Sequence, residues 1–229
     1  VGLDPFLGAY WPRFIEGELN GRLSEIRYRN GKVTTRGNLH ADVFGGRIDL
    51  SDIALLQPFA SIAVLKLNAQ IHSLRLEALT GGTSFGKIEG VLEGHIQNLE
   101  IVRGQPQRFD LLLETVRRPG VDQSINIRAV ENIARIGGGQ SPFMGMAGVM
   151  GAIFKEFQYR KIGVRASLKN DVFHINGTIR ENGTEYLVKS GGLPGVDVIN
   201  SNPDNRIRFK DMVKRIQRIG STSSQPVVR

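Results

Sequence analysis

Among the 229 residues, Ser84 has the spelling of a catalytic nucleophile. Gly82-Thr83-Ser84-Phe85-Gly86 matches G-x-S-x-G, the nucleophile elbow of serine hydrolases. That chemistry needs a sharp strand-to-helix turn, a base and an acid. The segment after Gly86, Lys87 to Leu99, is instead strongly strand-like, and the downstream histidines, His95 and His174, sit inside alternating strands. A glycine loop between two strands accounts for the pattern better, and a Ser84-dependent esterase ranks third among the functional readings. Gly81 to Lys87 also spells most of a P-loop. Ile88 stands where the magnesium-holding Ser or Thr belongs, and no helix follows to cradle phosphate, so this reading is rejected. His40, His72, His95 and His174 are scattered, with no H-x-H, H-x₃-H or carboxylate-flanked cluster, and Cys is absent. No catalytic residue, no metal and no cofactor is expected. Asn176-Gly-Thr178 and Asn182-Gly-Thr184 spell glycosylation sequons, which a turn-rich sheet yields by chance.

The remaining chemistry is charge and apolarity. Formal net charge is +8, a balance that suits anionic lipid headgroups, an acidic partner or nucleic acid. Nucleic-acid reading needs a stacking platform, and the aromatic 7% is mostly Phe at apolar positions, so no nucleic-acid partner is expected. The tail carries Lys210, Lys214, Arg215 and Arg218 on a segment with Phe209, Met212, Val213, Ile216 and Ile219 at helical spacing. Those four basic residues are candidates for contact with an anionic membrane or a partner protein; a helix capping the sheet with a solvated basic face is the simpler alternative. Ile136 to Phe154 has no charged residue and six glycines, and reads as a buried helix or an apolar plug. No run of about 20 strongly apolar residues occurs. Starting at Val1 without a leader, the chain reads as a piece of a longer protein, with any anchor upstream.

These residues are positioned by an alternating, period-two chain. Ile15, Gly17, Leu19, Gly21 and Leu23 fall on one face of a strand, and Glu16, Glu18, Asn20, Arg22 and Ser24 on the other. Asn30-Gly31, Gly45-Gly46, Asn170-Asp171 and Asn182-Gly183 mark hairpin turns, too short for crossover helices, so the sheet is antiparallel. Ile15 to Ile26 aligns with Ile88 to Leu99 at an offset of 73 residues, and the alignment continues to Gly31 over Gly104. Four stretches are predicted to be helical or helix-like: Ser51 to Asn68, broken at Pro58; Ala129 to Arg135; Phe143 to Phe154, opened by Ser141 and Pro142; and Phe209 to Ile219.

The expected fold is mainly β: an extended, curled, antiparallel sheet, a groove or taco-like trough with a few short helices. It spans residues 1–229 as a single β-groove domain with repeat units near 13–50 and 86–116, a C-terminal part over 125–219 and a frayed tail over 220–229. A sheet with one apolar face must cover that face, curl on itself or hold an apolar ligand. The predicted helices are too few and short to cover it, and Gly17, Gly21, Gly90 and Gly94 at inward positions permit curvature. Period-two series place Leu19, Leu23, Leu92, Ile96, Leu111, Leu113, Ile162 and Val164 on the apolar wall as lipid-groove candidates.

Several motifs together carry a resemblance. Ile-x-Gly-x-Leu-x-Gly strands open hairpin units, followed by Ile127-Arg-Ala-Val-Glu-Asn-Ile-Ala-Arg-Ile136, a glycine run and Phe154-Lys-Glu-Phe-Gln-Tyr159. Leu168-Lys-Asn-Asp comes next, and Glu185-Tyr-Leu-Val-Lys-Ser-Gly-Gly-Leu-Pro-Gly-Val-Asp-Val198 runs into the basic segment. This pattern resembles the C-terminal region of bacterial AsmA-like envelope proteins of the YdbH type, most specifically over residues 125–219. The resemblance implies a Gram-negative periplasmic protein anchored to the inner membrane by an N-terminal segment missing here. It implies phospholipid acyl chains as cargo moved between inner and outer membranes, and no catalytic residues; for the basic tail the partner expected is an anionic membrane surface or an outer-membrane partner protein. Three readings follow: a non-enzymatic lipid conduit, a structural envelope scaffold without ligand, and the Ser84 esterase.

Overall fold

The computed structural model describes residues 17–81, 83–139, 142–143, 154–201 and 206–213. In chain order its elements are β1 (Gly17–Arg29), β2 (Lys32–Val43), β3 (Gly46–Leu56), β4 (Val64–Arg75), α1 (Leu76–Thr80), β5 (Val91–Val102), β6 (Gln105–Val116), β7 (Ser124–Asn126) and α2 (Ile127–Ile136). Then come β8 (Glu156–Lys169), β9 (Val172–Gly177), β10 (Ile179–Glu181), β11 (Thr184–Ser190), β12 (Val198–Ile199) and β13 (Ile207–Arg208). The strands form one antiparallel sheet in the order β1-β2-β3-β4-β5-β6-β8-β11-β10, with β9 and β7 also on β8. It is curled but does not close into a barrel. Mainly β with few, short helices is therefore the architecture found.

The turns follow from residues that tolerate left-handed backbone. Asn30-Gly31, Arg103-Gly104, Asn170-Asp171 and Asn182-Gly183 each place two successive residues at positive φ, between 49° and 78°. That is the type I′ hairpin, whose twist matches the flanking strands. The β2–β3 turn uses Phe44 and Gly45, one residue earlier than the Gly45-Gly46 pair predicts.

Directly opposed residues in an antiparallel pair share a face. One row therefore crosses eight strands as Leu19, Ala41, Ile48, Ile71, Gly94, Leu113, Val164 and Gly177. The next row runs Gly21, Leu39, Leu50, Ala69, Ile96, Leu111, Ala166 and Ile175. A third, nearer the other end of the strands, runs Tyr28, Val33, Leu55, Leu65, Ile101 and Pro106. All three consist of apolar residues and glycine.

Keeping these rows on one face takes bulges. The register shifts between Leu23 and Glu25, Ser51 and Ala54, Ile71 and Leu74, and Gln97 and Glu100. Asp52, Ser73 and Asn98 have φ of 52°, 53° and 55° there. Each bulge inserts one residue, so the apolar spacing changes from i, i+2 to i, i+3: Leu23 to Ile26, Leu50 to Ile53, Ile71 to Leu74, Ile96 to Leu99. Bulges also bend their strands, which supplies curl. The bulges in β1 and β5 coincide at the 73-residue offset, so the repeat is structural as well as verbal.

The same i+3 steps explain a correction. Ser51 to Asn68 is the end of β3, a connection over 57–63 and the start of β4, rather than a broken helix. Leu55 and Leu65 face one another across the strand pair, while Phe59 is 88% exposed in the connection, so the helical spacing was an accident of a bulge plus a loop. Ala129 to Arg135 is helical, as the centre of α2; the Asn126 side chain caps it, accepting from Ala129 N–H at 2.9 Å. Of the segment predicted helical over 143–154, residues 144–153 lie outside the described residues. Phe143 is buried and stacks on Phe157 with centroids 5.0 Å apart. The C-terminal segment is helical over 209–213, and 214–229, with Lys214, Arg215, Arg218 and the expected frayed tail, lies outside the described residues.

Candidate functional site

The apolar face is divided. At the end where β4 leaves and β5 enters, it is a dry core. Ala41, Val43, Ile71, Leu74 and Leu92 pack there with α1 and α2 through Leu76, Ala129, Val130 and Ile133. The loop 83–87 seats α2: Asn132 Nδ2 donates to the Phe85 carbonyl at 2.7 Å, and a Cβ on Gly86 would strike Ala129 N and Asn126 Oδ1. A second cluster covers β8 and β9, where Ala166, Leu168, Phe173 and Ile175 pack against Ile207 and Met212.

The other end of the face lies outside both clusters. Leu23, Leu39, Leu50, Leu55, Leu65, Leu67, Leu99 and Ile101 are half-buried and belong to neither. Among the described residues no helix packs over them. Ile26 and Tyr28, on the same face beyond the β1 bulge, are 66% and 58% exposed. Tyr28 meets Phe59 edge-on with centroids 6.0 Å apart. Five strands, β1–β5, about 4.8 Å apart make this open wall roughly 19 Å wide, the scale of an acyl chain.

Glycine sets how close the strands come. Gly21 and Gly94 are equivalent in the repeat. A Cβ at Gly21 would run into the carbonyl of Asn38, and one at Gly94 into that of Leu112. The opposite face is polar and stitched across its bulges. Asn68 donates to Asp52 at 2.8 Å, Asn98 N–H to Asn68 at 2.8 Å and Asn98 Nδ2 to Asp110 at 3.0 Å, which ties β3 to β6.

The nominated wall residues separate into groups. Leu23 is on the open wall. Leu19, Ile96, Leu113 and Val164 are half-buried at the margin of the main core, with Val164 also touching the second cluster, which Leu111 flanks. Leu92 and Ile162 are 7% and 8% exposed, inside the dry core rather than on an open surface. Sequence reasoning missed Leu55, Leu65, Leu67, Leu99 and Ile101, the fullest part of the open wall. The i+3 phase slip at Asn98 and the NG-like turn chemistry at Arg103-Gly104 were the available signals. Lys210 is exposed on the 209–213 turn.

The motifs resembling catalytic sites are placed as follows. Ser84 lies in the bend between α1 and the bridge at Ile88, not on a strand-to-helix elbow, and no histidine bonds to it among the described residues. Lys87 is held by Glu89 at 2.6 Å and Glu156 at 3.0 Å, which keeps its amine protonated well above its usual range. Glu89 is correspondingly held below the usual carboxylate range, first by Lys87 and also by Ser124. His72 pairs with Asp49 at 3.1 Å and His40 with Asp42 at 3.5 Å, both on the polar face. Among the described residues no three His, Asp or Glu form a metal-holding group, and no helix is long and apolar enough to cross a membrane. No protein-family model, no curated protein and no solved structure matches the chain.

Proposed function

We propose that the chain carries phospholipid acyl chains along the open half of its apolar face, as a non-enzymatic envelope protein of the AsmA-like kind. One observation carries this reading. Half-buried aliphatic side chains stand on five neighbouring strands, β1–β5, uncovered by any described helix. Water-facing apolar area on this scale is costly unless something occupies it, and a methylene chain gains about 0.8 kcal/mol per buried CH₂ there. Transport of this kind needs a continuous apolar wall and a free path, not a polar constellation. In this reading the protein works between the inner and outer membranes of the periplasm, and the basic 210–218 region meets an anionic membrane or an outer-membrane partner.

The second reading is a β-scaffold without ligand. The dry core that encloses Leu92 and Ile162 favours it, because that half of the face needs no lipid. Native mass spectrometry of the gently purified chain tests the choice. Co-purified phospholipid that is lost when Leu65→Glu and Leu99→Glu are introduced supports the conduit. A clean apo mass from the parent, repeated in lipid-rich extracts, overturns it in favour of the scaffold.

A further inference from the structure

The face opposite the apolar wall holds a second concavity, of about 580 Å³, where the chain turns from β9 into β10. Three arginines from separate segments line it. Arg165 comes from β8, directly opposite Asn176 of β9. Arg180 comes from β10, and Arg206 immediately precedes β13, whose Ile207 pairs with Phe173 and so brings this segment alongside β9. His174, Asn176 and Thr178 complete the lining.

One carboxylate ties lining residues together. The Glu185 side chain is 6% exposed. It accepts from Gly177 N–H at 2.8 Å, Asn200 Nδ2 at 2.7 Å and Asn176 Nδ2 at 3.3 Å, and Arg180 closes on it at 3.1 Å. Glu185 is thus saturated with donors and neutralised by Arg180. Glu114, an acid that Arg165 influences, is paired with Lys161 at 2.8 Å. Arg165 and Arg206 have no ion pair among the described residues. Two cations in excess, beside His174, therefore face one concavity.

We propose that this pocket binds a phosphate-class oxyanion, a phosphomonoester or phosphodiester group. Guanidinium forks carried on separate segments suit a tetrahedral anion with three or more acceptor oxygens better than a planar carboxylate. Converging cations repel one another until an anion bridges them. The site lies across the sheet from the apolar wall, so it does not rest on the lipid-carriage reading and either can fail alone.

The test uses the whole 229-residue chain. Inorganic phosphate and glycerol 3-phosphate are titrated by calorimetry at about 150 mM salt, where long-range attraction is screened. Vesicles of phosphatidylcholine, with and without phosphatidylglycerol, are tested by co-flotation. Arg165→Gln with Arg206→Gln should weaken binding about 100-fold, roughly tenfold for each charge-assisted contact. Arg27→Gln, which removes the same charge elsewhere, should change it less than twofold. Thermal melts verify folding; if the double Gln variant is unfolded, Arg165→Lys with Arg206→Lys decides, because it keeps charge but loses the fork and should still weaken binding severalfold. Variant-sensitive binding of soluble phosphates identifies a free phosphate-bearing ligand. Variant-sensitive binding confined to phosphatidylglycerol vesicles identifies a lipid headgroup. Binding of neither probe, or binding indifferent to Arg165 and Arg206, overturns the proposal.

Discussion

A carboxylate introduced at two positions of the same apolar face should have very different costs. Leu92 is 7% exposed and opposes Leu74 on β4 and Thr115 on β6, within the core closed by α1 and α2. Leu92→Glu loses about 2–3 kcal/mol of apolar burial and adds the cost of a buried, unpaired acid, about 2 kcal/mol or more even when it is protonated. Leu65 is half-buried between Leu55 and Ile101 on the open wall. Leu65→Glu loses about 1 kcal/mol, because its carboxylate remains hydrated from the open side. The gap is about 3 kcal/mol. For a chain of this size that is about 6–12 °C in melting temperature, read by circular dichroism on both variants in one buffer. Lipid content, measured by mass spectrometry on the same preparations, should fall for Leu65→Glu while its fold persists. Equal collapse of both variants would show that the wall around Leu65 is as dry as the core, and the reasoning from half-burial would be wrong.

Gly94→Ala should lower stability by about 1–3 kcal/mol, since the Leu112 carbonyl occupies the space of the new Cβ, and Gly21→Ala should do the same at the equivalent repeat position; urea midpoints check both. Asn126→Ala removes the cap of α2 and should cost about 1 kcal/mol by chemical denaturation. Burial pushes Glu185 up, but Asn200, Gly177 N–H, Asn176 and Arg180 outweigh it and leave its pKa below the ordinary 4.5. A depressed folded value means that its stabilisation is complete above pH 4.5 and is lost as pH falls through the folded value. Glu185→Gln should therefore cost about 2 kcal/mol at pH 7 and flatten the acid limb of a stability–pH curve below pH 4.5. A parallel acid limb in wild type and variant would assign that loss to other carboxylates.

What the sequence disclosed was whatever is encoded within a few residues. Asn30-Gly31 and Asn182-Gly183 carry the φ > 0 requirement of their turns in their own side chains, and both are hairpins. The alternation of Leu19, Gly21 and Leu23 gives the face of β1 directly, and Ile127 to Ile136 carries the spacing of a helix that buries one side. Bulges are different. Asp52 and Asn98 mark where a residue is inserted, but the insertion is visible only against the partner strand. Leu50-to-Ile53 and Ile96-to-Leu99 therefore look like a lost period, or like helix, when a single strand is read. The division between covered and open wall was equally hidden. Leu92 and Leu65 have the same local pattern, and only α2, folded back from more than 30 residues downstream of Leu92, separates their environments.

The bulges also connect local sequence to the shape that any groove reading needs. A flat sheet with an apolar face would bury that face on another layer, but this sheet is curled, and bulges at Leu23–Glu25, Ser51–Ala54 and Gln97–Glu100 bend its strands. Leu55, Leu65 and Leu99 are half-buried with no covering helix among the described residues, which leaves the wall accessible while lowering the cost of exposing it. Repetition at the 73-residue offset places a bulge and a pinching glycine at equivalent points in β1 and β5, so both strands bend at the same height and the wall stays continuous between them. On the polar side, Asp52, Asn68, Asn98 and Asp110 hold the bulges in place through side-chain bonds, so the bend is fixed by groups that never touch the apolar wall. Relaxing one of these bonds should therefore flatten the trough without altering its lining: Asn98→Ala keeps every wall residue, removes the Asn98–Asp110 bond and the side chain that tolerates φ of 55°, and should reduce lipid carriage with the wall intact. Unchanged carriage in a folded Asn98→Ala chain would detach curvature from function.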